Sequence, residues 1–286
     1  MMPSPIQRIG IIGAGTMGQG IAQVCALAGY EVLLYDTQYE IISSGKTSIT
    51  KSLDISIEKN KITQEQKAKA LSLISSVSDF RQLQVDLAIE AVSEKLEIKQ
   101  KIFVELEKIN AKDCLLLTNT SSISITQIGS VLKHQGRFAG LHFFNPAPVM
   151  KLVEIVKGVS TEDQTISTLK SFSESLGKVS VLAKDSPGFI TNRVARHYYL
   201  EALKLLEEGV SDIETIDKLL KASGFKMGPF ELMDFIGLDI NLAVTQSVYQ
   251  AFNQDSKFRP NYIQQQKVDA GILGRKSGKG FYNYEE

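Results

Sequence analysis

The stretch IGIIGAGTMG, residues 9–18, decides the fold. Its apolar opening, Ile9 to Ile12, reads as a short strand, and Met17 to Ala28 reads as a helix that Gly29 is placed to end. Between them, Gly13, Gly15 and Gly18 stand at the spacing G-x-G-x-x-G. A strand that turns directly into a helix uses each glycine differently. The first permits the tight turn, the second lets a pyrophosphate approach the backbone, and the third lets helix and strand pack closely. Thr16 and Met17 open the helix, whose N-terminal amides face an anionic group.

Working outward, EVLLY (31–35) is a second strand that ends at Asp36, about where a dinucleotide-binding unit carries an acid for the adenosine ribose hydroxyls. A carboxylate there repels a 2′-phosphate, and no arginine follows in Thr37-Gln38-Tyr39, so the pattern favours NAD over NADP. The plainer reading, a glycine turn beside a solvated aspartate, does not need the strand–turn–helix context. Helix signals follow at about 40–61, 64–74 and 96–109, interleaved with strands at about 86–91, 114–118, 137–143, 152–156 and 179–182. This alternation predicts a mostly parallel, doubly wound Rossmann-like α/β domain over residues 1–186. After Asp185-Ser186-Pro187-Gly188 the pattern turns helical, with segments at about 189–208, 212–223, 229–234, 238–252 and 260–270. Residues 187–286 are therefore expected to form an all-α domain for substrate binding and dimerisation, closed by the glycine-rich basic stretch Gly274 to Tyr282.

Lysine plus arginine equals aspartate plus glutamate at 32 each, which removes the electrostatic argument for nucleic acid or an anionic membrane. No run of about 18 apolar residues occurs, and Met1 to Arg8 lacks the apolar core of a leader. The two cysteines, Cys25 and Cys114, lie in apolar runs and form neither a metal-binding nor a disulfide pattern. These features lead to the expectation of a cytoplasmic enzyme without a metal.

Of three histidines, His134 sits in a polar loop and His197 on a helix, where both read as surface residues. His142 ends the strand RFAGLHF (137–143), after which Asn145-Pro146-Ala147-Pro148 forces a turn into the apolar strand LVEIV (152–156). Glu154 is the odd residue of that second strand, because a carboxylate among apolar neighbours is costly unless paired. Two strands joined by such a turn bring Glu154 toward His142, where it fixes the imidazole tautomer and stabilises the imidazolium. A purely structural His–Glu pair fits the same pattern.

At these residues the chain closely resembles the L-3-hydroxyacyl-CoA dehydrogenase family, in particular its free-standing bacterial 3-hydroxybutyryl-CoA members. The matching segments are IGAGTMGQGIA (12–22), TNTSSISIT (118–126), GLHFFNPAPVMKLVEIV (140–156), DSPGFITNR (185–193), MGPFELMDFIGLD (227–239) and GRKSGKGFYNY (274–284). The resemblance implies that His142 is the general acid/base and Glu154 its partner. It implies that Ser121 and Asn192 contact the substrate oxygen, Ser121 also lying near the nicotinamide. Asn145, Glu94, Lys99 and Lys276 correspond to cofactor-contacting positions. Read without the resemblance, Ser121 is a candidate cap for a helix beginning near Ser124, and Asn192 a solvated helix residue. The family often carries lysines for the CoA phosphates on the long helix after the second strand. Here Lys51, Lys59 and Lys61 are interspersed with Asp54, Ile55 and Glu58. The implied reaction is reversible NAD-dependent oxidation of a short (S)-3-hydroxyacyl-CoA by a homodimer. The alternatives are a dehydrogenase of a free hydroxy acid or sugar acid on the same fold, and a non-catalytic NAD-binding protein.

Overall fold

A computed structural model describes residues 6–284, and the chain divides into two compact units between Ser186 and Pro187. The first unit is built on one eight-stranded sheet: β1 (Arg8–Ile12), β2 (Glu31–Tyr35), β3 (Ile74–Val77), β4 (Leu87–Glu90), β5 (Leu115–Thr118), β6 (Phe138–Phe143), β7 (Leu152–Lys157) and β8 (Val179–Lys184). Its strand order is β3-β2-β1-β4-β5-β6-β7-β8. Every neighbouring pair is parallel except β6 with β7. The first six strands follow the order of a dinucleotide-binding sheet, in which the chain reverses direction across the sheet between β1 and β4 and opens a crevice there.

The helices of this unit are α1 (Thr16–Leu27), α2 (Tyr39–Glu58), α3 (Gln64–Ser72), α4 (Leu96–Ile109), α5 (Ile125–Gly129) and α6 (Asp163–Ser175). Ile9, Ile11, Ile21, Cys25, Val32, Leu34, Leu87 and Ile89 form a fully buried core between α1 and the central strands. Burial pushes the thiols of Cys25 and Cys114 up to about 12, so both stay protonated and inert at neutral pH.

Two elements depart from the sequence expectation. The short edge strand β3 has buried residues only at its ends, with Ser75 and Ser76 exposed between them, so it lacks the alternation that marks a strand. The helix α6 is rich in serine and threonine, residues that disfavour helix interiors, and its sequence carries no clear helix signal. Thr165, Ile166, Leu169, Phe172 and Ser173 nevertheless fall on one buried face, and tertiary packing outweighs the weak propensity.

The second unit comprises α7 (Thr191–Glu207), α8 (Ile213–Ala222), α9 (Pro229–Ile236), α10 (Leu238–Ala251) and α11 (Tyr262–Asp269). Tyr199, Leu203, Ile216, Phe230, Met233 and Leu238 make its core. The basic C-terminal stretch is a folded structure around the buried Asp234, which accepts hydrogen bonds from the amides of Phe281 and Tyr282 at 2.9 Å each and from the Tyr284 hydroxyl at 3.1 Å. A side chain at Gly280 would run into that carboxylate, the nearest oxygen lying only 2.0 Å from the added carbon.

The glycines of the opening motif separate by environment. Gly13 has a φ of 104°, and a Cβ there would sit 2.6 Å from the Ala91 carbonyl oxygen. A Cβ on Gly18 would lie 1.7 Å from the Gly13 carbonyl oxygen, whereas one on Gly15 would meet nothing within 4 Å. Gly18→Ala is therefore expected to push α1 off β1 and lower unfolding stability by about 1–3 kcal/mol in urea titrations. Gly15→Ala should cost less than about 1 kcal/mol, since only a helix-capping preference changes.

Candidate active site

The carboxyl ends of β1, β2, β4, β5 and β6 place Gly13, Asp36, Glu94, Ser121, His142 and Asn145 among the residues singled out in the sequence. At the first of them, the Ala14 amide donates to Asp36 Oδ2 at 2.9 Å and the Gly13 amide donates to the Tyr35 carbonyl at 2.8 Å. The aspartate at the end of β2 is thereby tied to the glycine turn at the end of β1. Open space over Gly15, at the start of α1, is the cradle that a pyrophosphate requires, and the Thr16 and Met17 amides belong to the same first turn.

At β4 the sequence reading missed a buried charge cluster. Glu90, fully buried, accepts from Lys99 Nζ at 2.7 Å, from Thr118 Oγ1 at 2.7 Å and from the Val92 amide at 2.7 Å. Lys99, only 1 % exposed, also pairs with Glu94 at 3.2 Å. Glu94 in turn collects the Thr120 hydroxyl and the amides of Ser121 and Ser122, at 3.0 Å and 3.1 Å for the amides. Partial burial pushes the Glu94 carboxyl upward, but the Lys99 charge and these hydrogen bonds prevail and hold it below the usual glutamate value. One lysine and two carboxylates thus shape the loop that presents Ser121. The continuous apolar run LAIE held a signal for this, because Glu90 is a carboxylate in a wholly buried strand. Ser121 is not the helix cap. Ser124 caps α5 by accepting from the Gln127 amide, and Asp185 accepts from the Ser124 hydroxyl and the amides of Ile125 and Thr126.

At β6 and β7 the antiparallel register sets His142 directly opposite Glu154. His142 Nδ1 lies 2.8 Å from Glu154 Oε2, with the histidine 6 % exposed and the glutamate fully buried. An ionised carboxylate only accepts, so Nδ1 carries the hydrogen and Nε2 is the nitrogen able to exchange a proton with a ligand. The ring of Phe144 packs 4.5 Å from the imidazole. Asn119 holds this strand end to β5 by accepting from the Phe143 amide at 2.8 Å.

The turn from β6 to β7 begins at Asn145, which is exposed and joined to Pro146 by a cis peptide bond. Buried Lys178 fastens the turn by donating to the carbonyls of Ala147 at 2.6 Å and Met150 at 2.8 Å. Lys51 and Lys59 are exposed, on α2 and at its C-terminal cap. In the second unit, Asn192 lies in the first turn of α7, and exposed Lys276 pairs with Asp239 at 2.6 Å. His134 and His197 are both exposed, and His197 packs against Phe258. Among the described residues there is no cluster of metal-ligating side chains, and no helix is long and apolar enough to cross a membrane.

Comparison with known proteins agrees with this arrangement. Residues 8–186 match the model of the 3-hydroxyacyl-CoA dehydrogenase NAD binding domain, and residues 188–284 match that of the 3-hydroxyacyl-CoA dehydrogenase C-terminal domain. The chain is 47% identical over 281 residues to a 3-hydroxyadipyl-CoA dehydrogenase of Escherichia coli, covering 98% of this chain and only 59% of that longer protein. It is 42% identical over 285 residues to a 3-hydroxybutyryl-CoA dehydrogenase of Bradyrhizobium diazoefficiens, covering 99% of this chain and 97% of the relative. The crystal structure of an (S)-3-hydroxybutyryl-CoA dehydrogenase from Ralstonia eutropha superposes with a TM-score of 0.94 at 41% identity, covering 99% of this chain and all of that one. The glycine turn with its tethered aspartate, the His142–Glu154 pair and these matches across both units place the chain in the 3-hydroxyacyl-CoA dehydrogenase family.

Proposed function

We propose that the chain oxidises the 3-hydroxyl of a short (S)-3-hydroxyacyl-CoA to the 3-ketone, and catalyses the reverse reduction, with NAD as the hydride carrier. The observation that carries this reading is the buried 2.8 Å contact between His142 and Glu154 at the end of β6. NAD supplies the hydride acceptor when bound. His142 Nε2 takes the hydroxyl proton as hydride leaves C3, and returns it to the ketone oxygen in the reverse direction. Glu154 stabilises the imidazolium so formed and keeps Nδ1 protonated. Ser121 and Asn192 orient the reacting oxygen.

The surroundings of the cofactor positions support this reading. Gly13, Gly15, Thr16, Met17 and Gly18 form the pyrophosphate turn, and Asp36 accepts from the ribose hydroxyls, which disfavours a 2′-phosphate. Glu94 and Asn145, both exposed, face the cofactor directly, while buried Lys99 acts through Glu94. Lys276 is read as a further cofactor contact on the strength of the family match, and Lys51 and Lys59 as contacts to CoA phosphates. The names of the relatives span a four-carbon acyl group and a six-carbon dicarboxylic one, and the chemistry at C3 is the same for both. A cytoplasmic homodimer, associated through the helical unit, completes the proposal.

His142→Gln should reduce kcat by about 10²- to 10⁴-fold while NADH still binds, as fluorescence titration would report. Near-wild-type turnover in that variant removes histidine from the chemistry. Glu154→Gln should lower kcat as well, and an unchanged rate would leave the pair a purely structural role. Steady-state assays with NADH and NADPH in parallel should show a strong preference for NADH that Asp36→Ala relaxes. Reduction of acetoacetyl-CoA, but not free acetoacetate, is expected, and indifference to the CoA moiety contradicts the thioester assignment. Light scattering on a sizing column should give twice the chain mass, and a monomer would refute the dimer.

A further inference from the structure

The second unit buries a cation with no acid beside it. Arg196 is 3 % exposed, and among the described residues no carboxylate pairs with its guanidinium. Its acceptors are neutral. Nε donates to the Asn192 carbonyl at 3.2 Å, and Nη1 donates to the Asn241 carbonyl at 2.8 Å and to Thr245 Oγ1 at 2.9 Å. The Tyr199 ring lies 4.8 Å from the guanidinium carbon. Nη2 makes no hydrogen bond to a described residue, yet it is not one of the nitrogens sealed from solvent without a partner, as Arg137 Nε is. Burial lowers the side chain's pKa to about 10, which still leaves it charged at neutral pH. Buried Lys99 has two carboxylates for company and Arg137 has Glu107, whereas Lys178, like Arg196, bonds only neutral oxygens. A buried, hydrogen-bonded charge without a counter-ion is costly, and it is retained most readily where a ligand supplies the missing sign.

Position along α7 suggests which ligand. Arg196 is one helical turn beyond Asn192, about 6 Å along the axis, and its side chain leans back toward the helix N-terminus to bond the Asn192 carbonyl. In a six-carbon 3-hydroxyacyl thioester, an ω-carboxylate is separated from C3 by three carbon–carbon bonds of about 1.5 Å each. A substrate whose C3 oxygen is held at Asn192 would therefore bring such a carboxylate into the reach of the guanidinium. A four-carbon acyl group ends before it.

We propose that Arg196 is a specificity-determining residue that pairs, through Nη2, with the distal carboxylate of a dicarboxylic 3-hydroxyacyl-CoA, making six-carbon dicarboxylic thioesters the preferred substrates. The proposal rests on the thioester dehydrogenase activity proposed above. No new covalent step is involved. An arginine is suited to the task because its planar fork matches a carboxylate and it is weakly hydrated compared with an ammonium group.

The test compares NADH-dependent reduction of 3-oxoadipyl-CoA with that of 3-oxohexanoyl-CoA, which has the same chain length and no distal charge. The wild type should favour the dicarboxylic substrate in kcat/KM by about 10- to 100-fold, the size of one desolvated charge pair. Arg196→Met should abolish that ratio, mainly through KM for 3-oxoadipyl-CoA, and change 3-oxohexanoyl-CoA reduction by less than about threefold. Arg196→Lys, which keeps the charge, should restore part of the preference. A wild type that does not discriminate between the two thioesters overturns the proposal, even if neither variant folds. So does an Arg196→Met protein that loses both activities equally, the mark of a side chain that only joins α7 to α10. Failure to reduce either thioester, with the wild type folded and binding NADH, instead removes the thioester dehydrogenase reading itself.

Discussion

A fully buried carboxylate must find a partner, and in this protein Glu154 finds it in His142 across the single antiparallel pair of an otherwise parallel sheet. Losing one member of such a pair leaves an uncompensated charge or dipole and costs about 3–5 kcal/mol. The constraint therefore acts on register as well as on chemistry. A slip of one residue between β6 and β7 would turn Glu154 to the opposite face and replace it with Val153 or Ile155, which pack in the core. The reversal of direction at residues 144–151 is what sets the two strands antiparallel, and Lys178 holds that turn by its carbonyls from the start of β8.

The same principle recurs in the loop after β5. Glu90 and Glu94 share Lys99, and the Glu94 carboxylate organises three groups of the Thr120–Ser122 segment. Its depressed pKa signals that folding favours the charged form. That contribution is complete above the ordinary glutamate range and is lost as pH falls through the lowered folded value. Side chains that would otherwise wander on a loop are thereby placed by a carboxylate anchored to buried Lys99, which is how a rigid sheet carries a site on its connecting segments. The second unit uses buried carboxylates for a different end. Asp217 and Asp234 accept from the Phe230 and Glu231 amides and from those of Phe281 and Tyr282, closing the C-terminal stretch onto the helices.

Much of this was legible in the linear chain because it depends on local rules. The G-x-G-x-x-G turn, the acid at the end of the second strand and the change from alternating strands to helices after Ser186 each rest on short-range sterics or periodicity. Glu154 stood out as an acid in an apolar strand following His142, but the connection at 144–151 is long enough to leave the register open until the sheet forms. Strand β3 and helix α6 escaped, the first for want of alternation and the second because its serines and threonines argue against a helix until Leu169 and Phe172 are packed.

The sequence by itself determined the dinucleotide turn and the acid beside it, consequences of spacing along the chain, while the facing of His142 and Glu154 was set by the register of β6 and β7. Only the tertiary structure decided that Lys99 is buried between two carboxylates, that Ser121 belongs to their loop while Ser124 caps the helix, and that Arg196 is enclosed without an acid. The physical reason is desolvation. Whether a charge is costly, satisfied or waiting for a ligand depends on which groups from distant segments exclude water around it, and no local pattern records that.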